Sequence, residues 1–453
     1  MMRNRQAFLL AVLALVLLSL ACGFPIPTAE PPPVSPTTLP PTALPPESSP
    51  TPAPLPTPSP AAGHGSFVVY TGDGGLWIAL LEEQALPRQL TAGADSDPLI
   101  SPDGAWVLFR RQLAPGPSDL PRLELRVVGT DGSGERHLVG PEDLPGETGV
   151  PAGGDAAAPI DRLPLQAMWF PDSQAVAFNT HLMIGYGLMH NQDLWRIDLA
   201  AREPVQLLQD GEGGNFSFSP DGADMLISSP TAVAVWNLAR GEWGPIVSFD
   251  FVNTASEYAY QPAPVWSPDG AYGLAAISSS DPFAPGATAD LWRIPRRGEA
   301  QRLNTLAGQF LSATMDDDFW SPDRAHIAYT LAAEERAAAA RDLFIADGDG
   351  ARAVVYASGA LEFLSWHPDS RHFLFWQNAP GEVYLGEIGQ PPQRLVPPAE
   401  AARVESVNWI DDRAFAYVVG GRGTYEIRVG EISGAQRTID TTMAGFAQIA
   451  VYP

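Results

Sequence analysis

The chain contains no lysine and only one cysteine in its 453 residues. Without lysine there is no ε-amino group for Schiff-base chemistry and no phosphate-loop lysine, so both kinds of site are excluded. Cys22 has no second cysteine to pair with, so an internal disulfide is excluded as well. Stability must therefore come from an apolar core, and a hydrophobic content of 45% is enough to build one.

Positive charge is also scarce. The 27 basic residues are all arginine, and 52 acidic residues outnumber them, which leaves a formal net charge of -25. A nucleic-acid partner is not expected, because binding to phosphates requires an excess of cations. A charge of this size favours a soluble, monomeric domain, and it does not identify a partner.

The N-terminal 22 residues have the pattern of a secretion signal. Arg3 and Arg5 precede an apolar run over residues 7–20, which is shorter than a typical membrane-spanning helix. The run ends in Ser-Leu-Ala-Cys-Gly and resembles the bacterial lipobox, although that family usually has leucine where Ser19 stands. The resemblance implies that residues 1–22 are a lipoprotein signal peptide, that Cys22 is lipidated and that the protein belongs to the cell envelope. The alternative is an uncleaved N-terminal anchor with an incidental cysteine. Both place the rest of the chain on the extracytoplasmic side, in the periplasm or at the cell exterior.

Residues 23–63 form a proline-, threonine- and serine-rich segment, in which 16 of the 39 residues from 24 to 62 are proline. Proline lacks a main-chain donor and interrupts both helices and sheet ladders. We therefore expect a disordered, extended linker of up to about 120 Å, at about 3.1 Å per residue. A linker of this kind would hold a folded domain, residues 64–453, away from a membrane.

From about residue 66 onward the sequence repeats one unit, an apolar strand followed by a turn of the type Trp-Ser-Pro-Asp-Gly and a second apolar strand. Proline presets φ in such a turn, aspartate bonds its own backbone, and glycine accepts a positive φ. The seven copies are centred on Pro102, Pro171, Pro220, Pro268, Pro322, Pro368 and, in a degenerate form, Asp411. Their intervals of 69, 49, 48, 54, 46 and 43 residues are typical of four-stranded propeller blades.

The repeat resembles the Pro-Asp repeat of TolB-like, WD40-like propellers and of the propeller domains of prolyl-oligopeptidase-type peptidases. The resemblance implies an all-β fold, a β-propeller of four-stranded blades. The first repeat lacks an innermost strand, and the chain ends in an apolar segment at 446–453. We therefore expect the C-terminal strand to complete the first blade, which gives eight blades. Seven is the alternative, if the degenerate last repeat is not a true blade.

Nearly every long insertion is predicted to lie on one face of the propeller, opposite the short Pro-Asp turns. Because function is usually carried by elaborated loops on a rigid scaffold, this face is the candidate binding face. Exposed aromatic and methionine side chains suit recognition. The candidate residues are His181, Met183, Tyr186, Met189 and His190 in one loop, and Phe249, Phe251, Tyr258 and Tyr260 in the next. The alternative is that both loops cap the propeller core.

A metal site is predicted only weakly. Asp316, Asp317 and Asp318 enter an innermost strand near the expected channel mouth, and their carboxylates suit calcium. A solvated acidic loop is the alternative. The seven histidines are assigned to different blades or faces, and only His181 and His190 share a loop, so a histidine metal cluster is not expected. No other cofactor is implied.

Catalytic motifs are missing from the sequence. It has no Gly-x-Ser-x-Gly nucleophile elbow and no room for the separate domain in which the similar peptidases carry their triad. The sequence therefore predicts a non-catalytic module that binds or scaffolds an envelope or extracellular protein, peptide or glycan. The alternative is a propeller hydrolase or lyase whose scattered acids and histidines lie at the mouth of the central channel.

Overall fold

The structure is a computed structural model. It describes residues 65–453 apart from 82–85, 116–119, 152–153, 155, 185–186, 253–258, 280, 283, 285, 311–318, 333–339, 378–381, 397–402, 422 and 444–446. The predicted signal peptide with Cys22 and the predicted linker lie outside the described residues. Within the described part of the chain, no helix has the length and apolar character needed to cross a bilayer.

The described residues form 34 β-strands and one 3-10 turn. The strands of the first half of the chain are β1 (Phe67–Gly72), β2 (Gly75–Leu80), β3 (Arg88–Gln89), β4 (Asp95–Ile100), β5 (Trp106–Leu113), β6 (Arg122–Gly129), β7 (Arg136–Val139), β8 (Glu147–Gly149), β9 (Ala158–Ile160), β10 (Arg162–Trp169), β11 (Ala175–Ile184), β12 (Gly187–His190), β13 (Leu194–Asp198), β14 (Val205–Leu208), β15 (Asn215–Phe218), β16 (Asp224–Ser228), β17 (Ala232–Asn237) and β18 (Glu242–Ser248), with the 3-10 turn at Pro141–Asp143. The strands of the second half are β19 (Val265–Trp266), β20 (Tyr272–Ser278), β21 (Thr288–Pro295), β22 (Gln301–Ala307), β23 (His326–Ala332), β24 (Arg341–Asp347), β25 (Val354–Gly359), β26 (Leu361–Trp366), β27 (His372–Gln377), β28 (Glu382–Glu387), β29 (Gln393–Val396), β30 (Arg403–Trp409), β31 (Ala414–Gly421), β32 (Thr424–Glu431), β33 (Gln436–Thr442) and β34 (Ile449–Tyr452).

These strands make eight antiparallel sheets that are the blades of a propeller, together with the separate two-stranded sheet β8-β9, and this confirms the predicted all-β fold. Blade 1 has the order β34-β1-β2-β3, blade 2 is β4–β7, and blade 3 is β10, β11, β13 and β14, with β12 added on β11. Blades 4 and 5 are β15–β18 and β19–β22, and blades 7 and 8 are β26–β29 and β30–β33. Blade 6 is β23–β25, with two isolated bridges to β23, from Gln309 to Thr330 and from Trp320 to Ile327. The degenerate last repeat thus forms a complete blade, so the alternative of seven blades is wrong.

Ring closure follows the prediction from the first and last repeats. β34 pairs antiparallel with β1, with Phe67 opposite Tyr452 and Tyr70 opposite Ile449. The rings of Phe67 and Tyr452 stack with centroids 5.0 Å apart. Because the inner strand of blade 1 comes from the far end of the chain, the first and last repeats share one sheet and leave no open edge between them.

The core consists of eight hydrophobic clusters among the described residues, and each cluster joins two neighbouring blades. The motif tryptophans fill these interfaces. The indole N–H of Trp169 donates to the carbonyl of Leu99 in the preceding blade at 3.0 Å, and that of Trp266 donates to Ser217 at 3.1 Å. The stabilisation is therefore distributed around the ring rather than concentrated in one central core.

The Pro-Asp turn has the same hydrogen bonds in four blades. In blade 2 the Oγ of Ser101 donates to the Asp103 carboxylate at 2.6 Å and accepts the main-chain N–H of Trp106 at 2.9 Å. Gly104 closes the turn with a φ of +69°. Its missing side chain also matters, because a Cβ there would lie 2.6 Å from the Tyr452 ring. Ser219, Ser267 and Ser321 repeat the serine–aspartate contact in blades 4, 5 and 6.

Candidate functional site

The two ends of the propeller differ in their connections. At the turn face, where the inner strands end, the Pro-Asp turns link first to second strands with a few residues each. At the loop-rich face, where the inner strands begin, the chain inserts the 3-10 turn and the β8–β9 hairpin before blade 3 and long connections before β6, β19 and β21. Short turns that satisfy their own hydrogen bonds leave little for a partner, so the loop-rich face is the better candidate for binding.

The segment from His181 to His190 was expected to be a loop, and that expectation is wrong. β11 continues through ten residues, and β12 pairs back on it, with His181 opposite His190 and Ile184 opposite Gly187. We call this projecting pair, residues 181–190, the blade 3 hairpin. A hairpin holds its side chains in a fixed alternation, so two histidines opposite each other must meet on one face.

The rings of His181 and His190 pack edge to face with centroids 4.5 Å apart. His190 accepts the main-chain N–H of Gln192 on Nδ1 at 2.6 Å, and its Nε2 lies 3.2 Å from the Gln166 side-chain oxygen. An accepting Nδ1 requires the proton to be on Nε2, so His190 is the neutral tautomer that donates to Gln166. His181 is buried, and its Nδ1 has no hydrogen-bond partner among the residues that the structure describes.

Both histidines are held neutral. Burial is the main cause that lowers the pKa of His181 from 6.5 to about 3, and the neighbouring His190 and the positive charge of Arg110 act in the same direction. Burial alone lowers the pKa of His190 to about 4. A base with so low a pKa has little tendency to take a proton at neutral pH, so neither ring is tuned for general-base catalysis.

Beside the histidines, a polar chain links the inner ends of three blades. Arg110 of blade 2 donates to Asp97 at 2.9 Å and to the carbonyl of Leu165 in blade 3. The Asp97 carboxylate accepts a hydrogen bond of 2.6 Å from the side-chain amide of Gln448 in blade 1. The side-chain oxygen of Gln448 in turn accepts the main-chain N–H of Asp97. Burial lowers the pKa of Arg110, and the charge of Asp97 opposes this shift.

Asn179 extends the chain to blade 4. Its amide donates to Gln166 at 2.7 Å and to the carbonyl of Gly214 at 3.0 Å. We call Asp97, Arg110, Gln166, Asn179, His181, His190 and Gln448 the mouth cluster. The seven residues come from blades 1 to 3 and lie toward the loop-rich ends of these blades, so the cluster borders one side of the channel mouth.

A buried arginine network fixes the base of the blade 3 hairpin. Arg162 is bonded to Asp210 through two contacts of 2.9 and 2.7 Å and to Glu147 at 2.5 Å. Its third carboxylate partner is the fully buried Asp193, at 3.3 Å. Asp193 also accepts from the main chain and hydroxyl of Thr180, so β11 is tied to the segment that follows β12.

The other residues predicted for the binding face have different surroundings. Met189 and Phe251 are 53% and 56% exposed. Met183 is half-buried, and so is Phe249, which packs against the cluster between blades 4 and 5. Tyr260 is buried, donates to the carbonyl of Ala276 and accepts the N–H of Ser278, both at 3.1 Å.

Tyr260 therefore supports the scaffold. The prediction that it belongs to the exposed binding face is wrong, because its side chain is buried. Tyr186, Tyr258, Asp316, Asp317 and Asp318 lie outside the described residues. The sequence patterns did not predict Asp97, Arg110, Gln166, Asn179 and Gln448. These are polar residues within or next to strands, and that signal does not say which strands meet.

Two groups of potential metal ligands occur in the part of the chain that the structure describes, and neither belongs to the mouth cluster. Glu124, His137 and Glu142 lie at the outer side of blade 2, and His367, Asp369 and His372 lie in the Pro-Asp turn of blade 7. The sequence-based expectation that only His181 and His190 would be close together is therefore wrong, because His367 and His372 flank one turn.

The chain was compared with protein-family models, curated proteins and solved structures. No protein-family model and no curated protein matches the sequence. The β-propeller domain of the Trilobed protease from Pyrococcus furiosus is similar in structure at 10% identity and a TM-score of 0.45, over 76% of this chain and 97% of that one. The Pyrococcus horikoshii acylaminoacyl peptidase matches at 10% identity and a TM-score of 0.44, over 77% of this chain and 52% of that one. An oligogalacturonate lyase in complex with manganese matches at 15% identity and a TM-score of 0.41, over 65% of this chain and 83% of that one. These similarities are those of β-propeller domains, and they carry no information about activity.

Proposed function

We propose that this protein is a TolB-like, lipid-anchored propeller of the cell envelope. In this proposal the loop-rich face binds an extracytoplasmic protein, peptide or glycan without chemical change. The anchor would be the lipid on Cys22, and residues 23–63 would carry the propeller away from the membrane. The observation that supports binding most directly is the difference between the two faces, because the long connections and the exposed Met189 and Phe251 belong to the same face.

Exposed apolar side chains on a rigid scaffold are effective contacts, since they lose little conformational freedom on binding and are desolvated by the partner. The mouth cluster can add hydrogen bonds, because its amide, imidazole and guanidinium groups offer both donors and acceptors. An apolar contact beside a polar mouth suits a ligand with mixed surface, such as a peptide or an oligosaccharide.

The test is binding of the purified full chain to an array of defined oligosaccharides and to an array of synthetic peptides. We expect the double variant M189S/F251S to lose at least tenfold in affinity for the probes that bind. The matched control is I246S/V354S, which removes two apolar side chains that are 53% and 59% exposed but lie on outer strands β18 and β25. Equal losses in both variants, or no bound probe on either array, would contradict the proposal.

The anchor has its own test. Metabolic labelling of cells with a radioactive fatty acid should label the wild-type chain and not the variant C22A, because the variant lacks the thiol that would carry the lipid. If neither protein is labelled, the anchor is the apolar N-terminal segment rather than a lipid on Cys22.

One observation favours the alternative, a hydrolase or lyase at the channel mouth. Two histidines, an arginine and an aspartate meet there, and these residue types are common in catalytic sites. Their present pairing opposes it, because Asp97 is bonded to Arg110 and both imidazoles are held neutral with low pKa values. Release of new reducing ends or new amino termini from the array probes, lost in H181F, would favour this alternative over simple binding.

A further inference from the structure

The Pro-Asp turn of blade 7 departs from the serine pattern of the other blades. His367 occupies the position of Ser101, Ser219, Ser267 and Ser321 in blades 2, 4, 5 and 6. Five residues later, at the start of the second strand, stands another histidine, His372. In the four blades with serine, the serine Oγ accepts the main-chain N–H at this position. In blade 7 the main-chain N–H of His372 donates to Asp369 instead, at 2.9 Å. The turn therefore places one carboxylate between two imidazole rings.

The distances in this turn suit a small cation. His367 Nδ1 lies 3.0 Å from one oxygen of Asp369, and His372 Nδ1 lies 2.6 Å from the other. One potential ligand atom from each of the three side chains lies within 4.8 Å of the other two. Ligand atoms around tetrahedral zinc, at about 2.0–2.1 Å from the ion, are about 3.3 Å apart. Small side-chain rotations would bring the three atoms onto one ion.

The ring of His367 has one nitrogen in contact with Asp369 and one nitrogen without a partner. Its Nδ1 lies 3.1 Å from the main-chain nitrogen of Asp369 and 3.0 Å from a carboxylate oxygen of the same residue. In the neutral ring, Nδ1 either accepts the main-chain N–H or donates its own proton to the carboxylate, because one nitrogen cannot do both. The ring is 3% exposed, and its Nε2 has no hydrogen-bond partner in the described structure. A cation on Nδ1 would take the place of that proton and would bind the carboxylate as well.

A second carboxylate supports the ring of His372. Its Nε2 faces Glu387 at 3.7 Å, and Glu387 is itself held by Arg371 at 2.8 Å. Histidines that ligate a metal usually give their other ring N–H to a carboxylate, which orients the ring and makes the ligating nitrogen more basic. Asp369 and His372 are partly exposed, so an ion can reach the turn from solvent.

The other histidine–carboxylate group shows the contrasting arrangement. His137 has Glu124 at 2.7 Å on Nδ1 and Asp143 at 2.7 Å on Nε2. Burial acts to lower the pKa of His137, but the two carboxylates outweigh it and raise the pKa. Arg126 is bonded to Glu124 as well, at 2.8 Å. This group is already balanced by its own cations, so it has no need of a metal ion.

We propose that His367, Asp369 and His372 form a binding site for a divalent transition-metal ion, with Zn²⁺ as the ion that its two nitrogens and one oxygen suit best. Three protein ligands leave a fourth position for water. The ion would join the end of β26 to the start of β27. Because the His367 ring packs against Trp409 of blade 8, with centroids 4.5 Å apart, the site would also stiffen the contact between blades 7 and 8.

The test is a Zn²⁺ titration of the purified full chain in competition with a chromogenic chelator. We expect H367S and H372A to weaken Zn²⁺ binding at least 100-fold. E387Q should weaken it about tenfold or more, because it removes only the supporting charge. The control is H326A, which removes the histidine at the equivalent position of blade 6, where the turn begins with Ser321 and has no second histidine. H326A should bind Zn²⁺ as the wild type does.

Replacing zinc with Co²⁺ gives an independent readout, because a four-coordinate site with nitrogen ligands absorbs visible light. This absorption should be present in the wild type and absent in H367S. H367S introduces the serine that four other blades have at this position, so the variant should fold. If H367S does not fold, H372A provides the same comparison. The proposal is overturned if the wild type does not compete with the chelator for Zn²⁺, if H367S and H372A bind as tightly as the wild type, or if H326A loses as much.

Discussion

Replacing His181 with phenylalanine should remove part of the acid sensitivity of the protein. The pKa of this buried ring is about 3 in the folded protein, against about 6.5 in an unfolded chain. At pH values between these two, the unfolded chain binds a proton at this histidine and the folded protein does not. As far as His181 is concerned, the free energy of unfolding is therefore highest above about pH 6.5, and it falls as the pH is lowered toward 3.

The size of the effect at pH 5 depends on the unfolded chain alone, because the folded ring is still neutral there. Protonation of a free histidine at pH 5 stabilises the unfolded state by about 2 kcal/mol. At pH 7 the corresponding figure is about 0.2 kcal/mol. Phenylalanine has no proton to gain, so H181F should lose about 2 kcal/mol less than the wild type between pH 7 and pH 5. At pH 7 it should be as stable as the wild type or about 1 kcal/mol more stable, because the unpartnered Nδ1 is gone.

The assay is urea unfolding at pH 7 and pH 5, comparing the wild type with H181F and H181Q. Glutamine is polar but does not titrate, so H181Q should be less stable than H181F at both pH values and should show the same small pH dependence. If all three proteins lose the same free energy between pH 7 and pH 5, His181 is not a buried neutral ring, and the packing of the blade 3 hairpin described above is wrong.

Two further predictions test the scaffold. D193A should destabilise the protein by about 3–5 kcal/mol in urea unfolding, since it leaves Arg162 and the N–H of Thr180 without a buried partner. D210N, at a residue whose side chain is 48% exposed, should cost about 1 kcal/mol or less, and equal costs would contradict the assigned role of Asp193. G104A should lower the melting temperature more than G211A. Both glycines have a positive φ, but only at Gly104 would the new Cβ meet a side chain, the ring of Tyr452. Equal shifts would mean that Tyr452 does not pack on the blade 2 turn.

The propeller itself was predictable because its information is local. Six of the seven turns contain the proline and the aspartate within five residues, and the seven copies recur at a spacing that defines the blades. Closure by the C-terminal strand was also readable, because the first repeat lacks the strand that the last segment supplies. The number of blades, seven or eight, depended on whether the degenerate copy at Asp411 forms a blade, and the structure shows that it does.

The candidate sites were predictable only in part. His181 and His190 were predicted to lie in a loop and instead lie on paired strands, since alternation in a short apolar segment does not distinguish a loop from a strand that continues beyond its blade. His367 and His372 were visible inside a motif copy, yet their approach to Asp369 depends on how a turn of this type folds the side chains back. The bond between Asp97 and Gln448 spans 351 positions, and no local pattern could predict it.

The sequence alone determined the class of fold, the repeat, the closure of the ring and the face that carries the insertions, because turn chemistry and strand alternation act over a few residues. Tertiary structure decided which side chains meet. It buried Tyr260, faced His181 against His190, and joined residues of blades 1, 2 and 3 through Arg110 and Asp97. The physical reason is that a propeller brings the inner ends of its blades to one axis, so the contacts that form a site there come from segments far apart in the chain.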